Sequence, residues 1–433
     1  MHKVLVFTYY WPPSGGPAVQ RWLSLSQLLP EFGIEPIIIT VDPASASYVL
    51  LDQSLEKRVP EKLRVYKTKS FEVLTLYQRL MGKDKLPTAG FANESEPGIL
   101  QKAMRWIRGN LFFPDPRKGW NRYALQKARE VIRTEDIKAV ITAGPPQSTH
   151  LIGERLQSEF NLFWLCDFHD AWTNVWYYDE LMKTNWAKNI DLRTEQRVLE
   201  KADHIITVGN QIKDDFSQKL GSEKKIRIHS MGYDDDLFDT RPEVPRDVFT
   251  ITYTGTMADN YEPEALFKAL SQLRKQHSEF VCKVQLVGLI SEGIQKKVEE
   301  LGIADLVELK GYMPHVRAIE CLKQSCMLLL VSPNTPQAKM IIPGKIYEYM
   351  ATGIPILNLA TQDTETARII NECEGGATFS RDNLQQIKEY LWSNFTKWSE
   401  KPESILSTSK AYKKYSRRRE AEELADSLKN QLS

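Results

Sequence analysis

Residues 343–357 read PGKIYEYMATGIPIL. Pro343 suits a first helical turn, where its missing N–H costs nothing. Gly353 suits the left-handed cap that ends a helix, and Ile354–Leu357 starts an apolar run of strand type. The short helix between them turns Ile346 and Met350 inward, while Lys345 and Glu348 share another face. A cation in a first helical turn opposes the helix dipole unless an anion is present. A lysine for phosphate and a carboxylate for two vicinal hydroxyls are groups that hold a ribose diphosphate. The competing reading is an ordinary i,i+3 ion pair, worth only ~0.2–0.5 kcal/mol.

The same alternation of apolar run and amphipathic helix extends in both directions. KVLVFTYY, EPIIITV, KAVITAG, NLFWLCDF and ADHIITVG occupy the first half, and FTITYTGT, FVCKVQLVG, LVELKGY, CMLLLVS and IPILNLA the second. Helical patterns lie between them, as at Val19–Glu31, Gln147–Phe160, Asp191–Lys201 and Pro263–Gln276. Continuous Val/Ile/Leu runs separated by helices indicate parallel strands buried on both faces. Two such series predict an α/β protein of two doubly wound, Rossmann-like domains. The polar, proline-bearing DTRPEVPRDVF, Asp239–Phe249, marks the link. The domains are therefore expected at residues 1–240 and 241–410, with a charged C-terminal helix, 411–433, free to pack on either.

At 433 residues the chain is too long for one ordinary core. With a net charge of +1 it has no general attraction for nucleic acid. Cys166, Cys282, Cys321, Cys326 and Cys373 are scattered without a C-x-x-C, and read as buried thiols of a reducing compartment. The first apolar run is short and ends in Pro-Pro, unlike a signal sequence. No run approaches the ~20 apolar residues of a membrane span. A cytoplasmic protein is expected, with any membrane contact peripheral. One segment breaks the alternation: Ala103–Arg133 mixes Trp, Phe and Leu with many Lys and Arg. It is either a helix–loop–helix whose aromatics join the core or a basic, aromatic face for an anionic membrane surface.

Several strand ends carry polar groups where open α/β sheets bind ligands. Gly15-Gly16 follows the first strand, either as a plain tight turn or as a place where backbone N–H groups approach an anion. It is neither G-x-G-x-x-G nor a Walker loop. Ile141–His150 and Phe163–Trp172 end two later strands. His169 lies between Asp167 and Asp170, carboxylates expected to orient it and favour its charged form. His150 either serves the site or simply begins the next helix. Thr254-Gly255-Thr256 ends another strand at a possible phosphate position.

Taken in order, these blocks resemble the family 4 glycosyltransferases, which are retaining enzymes of the GT-B fold. The blocks are GGPAVQRW, PPQSTHLIG, WLCDFHDAW, EKADHIITVGNQIKDDF, MGYDDDLF and PGKIYEYMATGIPIL. The resemblance covers nearly the whole chain and is closest to bacterial polysaccharide-biosynthesis enzymes. It implies two domains facing a cleft, with the last helix returning to the first. It also implies a UDP- or GDP-linked sugar as donor and a glycan or lipid-linked acceptor, without nucleic acid, cofactor or dedicated metal. His169 would be catalytic. Gly15, Gly16, Gly255, Thr256, Met313, Lys345, Ile346 and Glu348 would bind the donor, with Gly311–Met313 framing the base. Arg21, His150 and Asp170 would serve the acceptor side or cleft, Arg21 also being available to the diphosphate. The chain departs from the family pattern at Met340, where the first of two paired glutamates belongs, and in TMADNYEPEA, which lacks the usual Arg and Lys. Those departures keep two other readings in play: a nucleotide-sugar epimerase on the same fold, and a catalytically inactive binding partner.

Overall fold

The computed structural model describes residues 1–72, 99–335 and 337–432. The apolar runs form strands in two separate sheets. The first sheet contains β1 (His2–Thr8), β2 (Ile34–Val41), β3 (Val65–Thr68), β4 (Ile137–Gly144), β5 (Phe163–Phe168), β6 (His204–Thr207) and β7 (Ile226–Ile228). Their order is β3-β2-β1-β4-β5-β6-β7, and every pairing is parallel. Successive residues of the inner strands, such as Val4–Phe7 and Ile37–Ile39, are fully buried. Helices therefore cover both faces, which is why these strands read as continuous apolar runs.

The second sheet contains β8 (Phe249–Thr254), β9 (Cys282–Val287), β10 (Val307–Gly311), β11 (Met327–Val331), β12 (Ile356–Leu359) and β13 (Gly376–Phe379). Its order is β10-β9-β8-β11-β12-β13, again all parallel. In both sheets the fourth strand lies beside the first, so the chain winds outward in opposite directions from that seam. The loops leaving the carboxyl ends at such a seam part from each other and leave a crevice for a ligand. Gly15–Gly16 and Ile141–His150 follow the paired strands β1 and β4; Gly255 and Lys345 follow β8 and β11.

The chain divides into two compact units. The first runs to Met231 and resumes at Arg417; the second is Gly232–Ser416. The division falls earlier than the proline-bearing link because Tyr233 already belongs to the second unit. Its amide donates to the Tyr415 carbonyl at 3.0 Å, and Ser416 Oγ donates to Asp235 Oδ2 at 2.9 Å. The expected tail accordingly splits: residues 411–416 stay with the second unit, and the helix Arg417–Leu432 packs in the first. The helix expected at Asp191–Lys201 begins earlier, at Asn185, where Thr184 Oγ1 accepts the Ala187 amide at 3.3 Å. All five cysteines are free; four are buried, but Cys321 is only half-buried, its Sγ 3.9 Å from Met313 Sδ.

Among the helices the last is the least predictable from its neighbours in sequence, and its anchoring is apolar. Ala421, Leu424, Ala425 and Leu428 are buried in one core with Trp22, Leu25 and Leu29. Leu424→Ala should therefore destabilise the first unit by roughly 2–5 kcal/mol. The check is a urea titration followed by a first-unit tryptophan signal; an unchanged midpoint would mean the helix is dispensable to that core.

Candidate functional site

In the second unit the site is built where β8, β9 and β11 end. Gly255 has φ +111°, and a Cβ there would lie 3.2 Å from Lys345 Nζ. Gly288, at the end of β9, has φ +126°, and a Cβ there would lie 2.2 Å from the Gly255 carbonyl oxygen. Only glycine meets both demands, a left-handed backbone and a neighbour at contact distance. The result is a strand edge with backbone exposed and one ammonium beside it.

Lys345 opens the helix Lys345–Thr352. Its Nζ donates to the Thr254 carbonyl at 2.6 Å and lies 3.7 Å from the centroid of the Tyr253 ring. Burial pushes the ammonium down to about 7, with Glu348 pulling the other way. Glu348 does not take the lysine as an ion-pair partner. Its Oε1 lies 2.7 Å from His315 Nε2, a pairing across two helices in which both side chains are mostly buried. The i,i+3 ion pair is thus absent, and lysine and carboxylate are held separately, each by its own partner. Tyr349 fixes the helix from the other side: its hydroxyl accepts the Thr254 amide at 2.9 Å. His315, Tyr253 and Tyr349 escaped the sequence reading. Tyr349 sits inside the quoted stretch, but its partner is 95 residues away.

The other donor-side positions are unequal. Thr256 is exposed, and its carbonyl accepts the Tyr253 hydroxyl at 2.6 Å. Met313 is half-buried beside Cys321. Ile346 is fully buried, and its amide donates to the Pro343 carbonyl at 2.9 Å, so it presents nothing to a ligand. Met340 lies half-buried in the short turn Ala338–Met340, an apolar side chain where the family pattern calls for a carboxylate.

In the first unit the sequence signals need more correction. His169 follows β5, and its Nε2 lies 2.9 Å from both Asp167 Oδ2 and an Arg21 nitrogen. Asp167, not Asp170, orients the ring; Asp170 is exposed. Arg21 is fully buried, placing Nη1 2.5 Å from Asp167 Oδ2 and Nη2 2.5 Å from Glu420 Oε1. With both carboxylates on its fork it cannot also serve a diphosphate. Burial alone would push the Asp167 carboxyl up, but Arg21 and His169 outweigh it and hold it well below the usual range. Glu420, on the last helix, is pushed up by burial against the pull of Arg21.

His150 is also a correction. It is fully buried, its Nδ1 3.0 Å from Thr142 Oγ1 and its ring 4.1 Å from that of Phe168. Burial pushes it down to about 3, so it is a neutral core residue at the start of a helix. Gly15 spends its amide on the Leu50 carbonyl at 3.0 Å, whereas Gly16, φ +112°, opens the helix Pro17–Leu28 with free space around its Cα.

The aromatic basic segment divides between its two readings. Trp120 is buried and donates Nε1 to Thr68 Oγ1 at 2.8 Å. Trp106 and Leu111 are 43% and 61% exposed, near Met182 and Trp186 at 48% and 64%. Asn110 Nδ2 ties the group by donating to the carbonyls of Trp106 (2.8 Å) and Met182 (3.1 Å), and Trp186 packs edge-on against Phe113 at 5.5 Å.

Two family models match the chain, and together they account for more than half of it. Residues 87–237 match Glycosyltransferase Family 4, and residues 248–392 match Glycosyl transferases group 1. The putative colanic acid biosynthesis glycosyltransferase WcaL of Escherichia coli K12 is 26% identical over 144 residues, which span 33% of this chain and 36% of that protein. Sucrose-phosphate synthase from Thermosynechococcus elongatus superposes with a TM-score of 0.62 at 16% identity, covering 100% of this chain and 99% of the other. Anabaena HepE in complex with UDP-glucose superposes with a TM-score of 0.63 at 13% identity, covering 99% and 100%. At such identities the structural likenesses establish the fold, which is GT-B.

Asp167→Asn removes the charge that Arg21 and His169 share. Breaking a buried pair costs roughly 3–5 kcal/mol, so the variant should lose stability of that order at neutral pH. Because the folded Asp167 carboxyl lies below its ordinary value of about 3.9, the wild-type advantage is complete above that pH and is lost as pH falls through the depressed value. Urea midpoints for both proteins from pH 7 down to about pH 2 provide the check, since the gap should narrow only below about 3.9. A constant gap across that range would assign the loss to packing instead of charge.

Proposed function

We propose that this chain, whose residues 87–237 match Glycosyltransferase Family 4 and residues 248–392 Glycosyl transferases group 1, moves a glycosyl group from a nucleotide diphosphate sugar to an acceptor hydroxyl, with retention, in polysaccharide or glycolipid assembly. The observation that carries the reading is the separation of Lys345 from Glu348 at the β8/β11 seam. The ammonium stands beside the exposed Gly255 backbone, with no carboxylate on it. The carboxylate is held one helical turn away by His315. A diphosphate at the first and ribose hydroxyls at the second match that spacing. HepE binds UDP-glucose in its complex, which makes a nucleotide-linked hexose the first donor class to try.

The chemistry asked of these residues is electrostatic. As the glycosidic bond to the donor breaks, negative charge grows on the leaving diphosphate, and Lys345 is placed to stabilise it. Burial depresses the lysine in the free protein, so an arriving anion restores its proton as well as pairing with it. Affinity for the diphosphate should then fall as pH rises from 7 to 9, while affinity for the bare nucleoside should not. His169, oriented by Asp167, is the donor-sugar residue on the first unit. No metal enters this scheme, since positive charge comes from Lys345 and backbone N–H groups. Among the described residues no helix is long and apolar enough to cross a membrane. The exposed Trp106, Leu111, Met182 and Trp186 are proposed to rest on an anionic lipid surface at the cytoplasmic face, near a lipid-linked acceptor.

The decisive assay measures nucleoside diphosphate release from a panel of nucleotide sugars, with and without acceptor, in excess EDTA. Acceptor-dependent release that survives EDTA is expected. Sugar interconversion without acceptor would identify an epimerase, and no reaction an inactive binder. In calorimetry Lys345→Ala should weaken the nucleoside diphosphate and spare the nucleoside, whereas Glu348→Ala should weaken both, by about 1.5–3 kcal/mol. His169→Ala should lower single-turnover rate far more than nucleotide affinity. Equal losses for both ligands in Lys345→Ala would remove the phosphate assignment.

For the lipid contact, the double variant Trp106→Ala, Trp186→Ala should co-sediment with phosphatidylglycerol vesicles severalfold less than the parent protein. Parent binding should fall with added salt. Equal recovery of parent and variant in the supernatant would return those side chains to plain surface.

A further inference from the structure

The carboxyl edge of the first unit's sheet carries a second arginine whose situation is the reverse of Arg21's. The turn Pro116–Trp120 is fastened across several strand ends. Trp120 bonds Thr68 at the end of β3, and Asp115 accepts the Ser148 amide (2.7 Å) and hydroxyl (2.9 Å) beyond β4. Arg117, inside this turn, has its guanidinium carbon 5.5 Å from the ring centroids of both Tyr9 and Tyr10, the two residues after β1. Its one hydrogen bond to a described residue is a long one, 3.4 Å, to the Ser47 carbonyl beyond β2.

Arg117 makes no ion pair with any described residue. The nearby carboxylates, Glu72 and Asp115, act on the guanidinium only from beyond ion-pair distance: Glu72 Oε1 accepts the Tyr9 hydroxyl at 2.5 Å and Ser70 Oγ at 2.9 Å, and Asp115 holds Ser148 and caps the Arg117 amide. Arg117 Nε is buried without an acceptor among the described residues. Leaving a buried charged donor unmet is costly, and Arg21 on the same sheet shows the usual remedy, carboxylates on the fork. Tyr10 and Tyr48, 6.1 Å apart and tilted, add aromatic faces beside the arginine.

We propose that Arg117 receives an anionic group, phosphate or carboxylate, carried by the sugar acceptor. A guanidinium fork matches either group in a bidentate pair, and the adjoining tyrosines offer faces to a ring or chain. Only the word acceptor rests on the glycosyltransferase reading; the anion site is a property of the first unit.

The test is equilibrium binding to the full-length protein with UDP present, comparing farnesyl phosphate, methyl glucuronide and neutral octyl glucoside. At least one anionic probe should bind tenfold or more tighter than octyl glucoside, weaken at least tenfold in Arg117→Gln and recover in part in Arg117→Lys. Binding of farnesyl phosphate alone points to a lipid phosphate, and of methyl glucuronide alone to an acidic glycan. Equal affinity of wild type and Arg117→Gln for the anionic probes overturns the proposal, as does a neutral probe that binds as well as both. Should Arg117→Gln melt early, the wild-type comparison of charged with neutral probes still decides. No turnover is needed, so nucleoside diphosphate release from the panel reports separately on the transferase reading.

Discussion

The first unit is organised around one fully buried guanidinium. Arg21 joins three distant parts of the chain: its own helix after β1, Asp167 on β5, and Glu420 on the last helix, 399 residues away. Each ion alone would be expensive to remove from water, and the cluster is tolerable only because the geometry is tight and shared. Trp22 Nε1 adds a third bond to Asp167, at 2.9 Å, beside those of Arg21 and His169. The cluster stands directly behind His169, so the side chain nearest the proposed chemistry is positioned by the same contacts that hold the C-terminal helix in place. Stability and site geometry are therefore hard to vary independently here.

The second unit solves a different problem, holding a largely desolvated lysine apart from the carboxylate one turn along its helix. Pairing Lys345 with Glu348 across one helical turn would have been the simple outcome. The lysine instead turns to the Thr254 carbonyl and the Tyr253 ring, and the glutamate to His315. A carbonyl and a π-face steady an ammonium without neutralising it, the arrangement that the proposed diphosphate contact asks for. The missing Arg and Lys in TMADNYEPEA make this one ammonium more important. Asp259 of that stretch is itself taken up locally, accepting Ser291 Oγ at 2.6 Å.

The two arginines on the first sheet show how partner choice separates structure from recognition. Arg21 has two carboxylates and serves the fold. Arg117 has two tyrosine rings, one long hydrogen bond and, among the described residues, no acceptor for its Nε, on the sheet edge where ligands gather. The exposed aromatic group around Trp106 and Trp186 belongs to the same unit, so the proposed lipid contact and the proposed anion site share it.

Local chemistry in the chain was sufficient for the architecture. Continuous apolar runs announced parallel strands buried on both faces, glycines after β1 and β8 marked turns with unusual backbone, and Pro343 and Gly353 bounded the helix that carries Lys345 and Glu348. These signals are legible because they depend on neighbours a few residues apart. Partnership was not. That Lys345 avoids Glu348, that Arg21 is buried structure, that His150 is neutral core and that Tyr233 pairs with Tyr415 all depend on groups brought together from 33 to 399 residues apart, or on burial that a single residue type does not specify. Periodicity and turn chemistry are properties of the chain, whereas the dielectric around a charge, and the group that answers it, exist only once the sheets have packed.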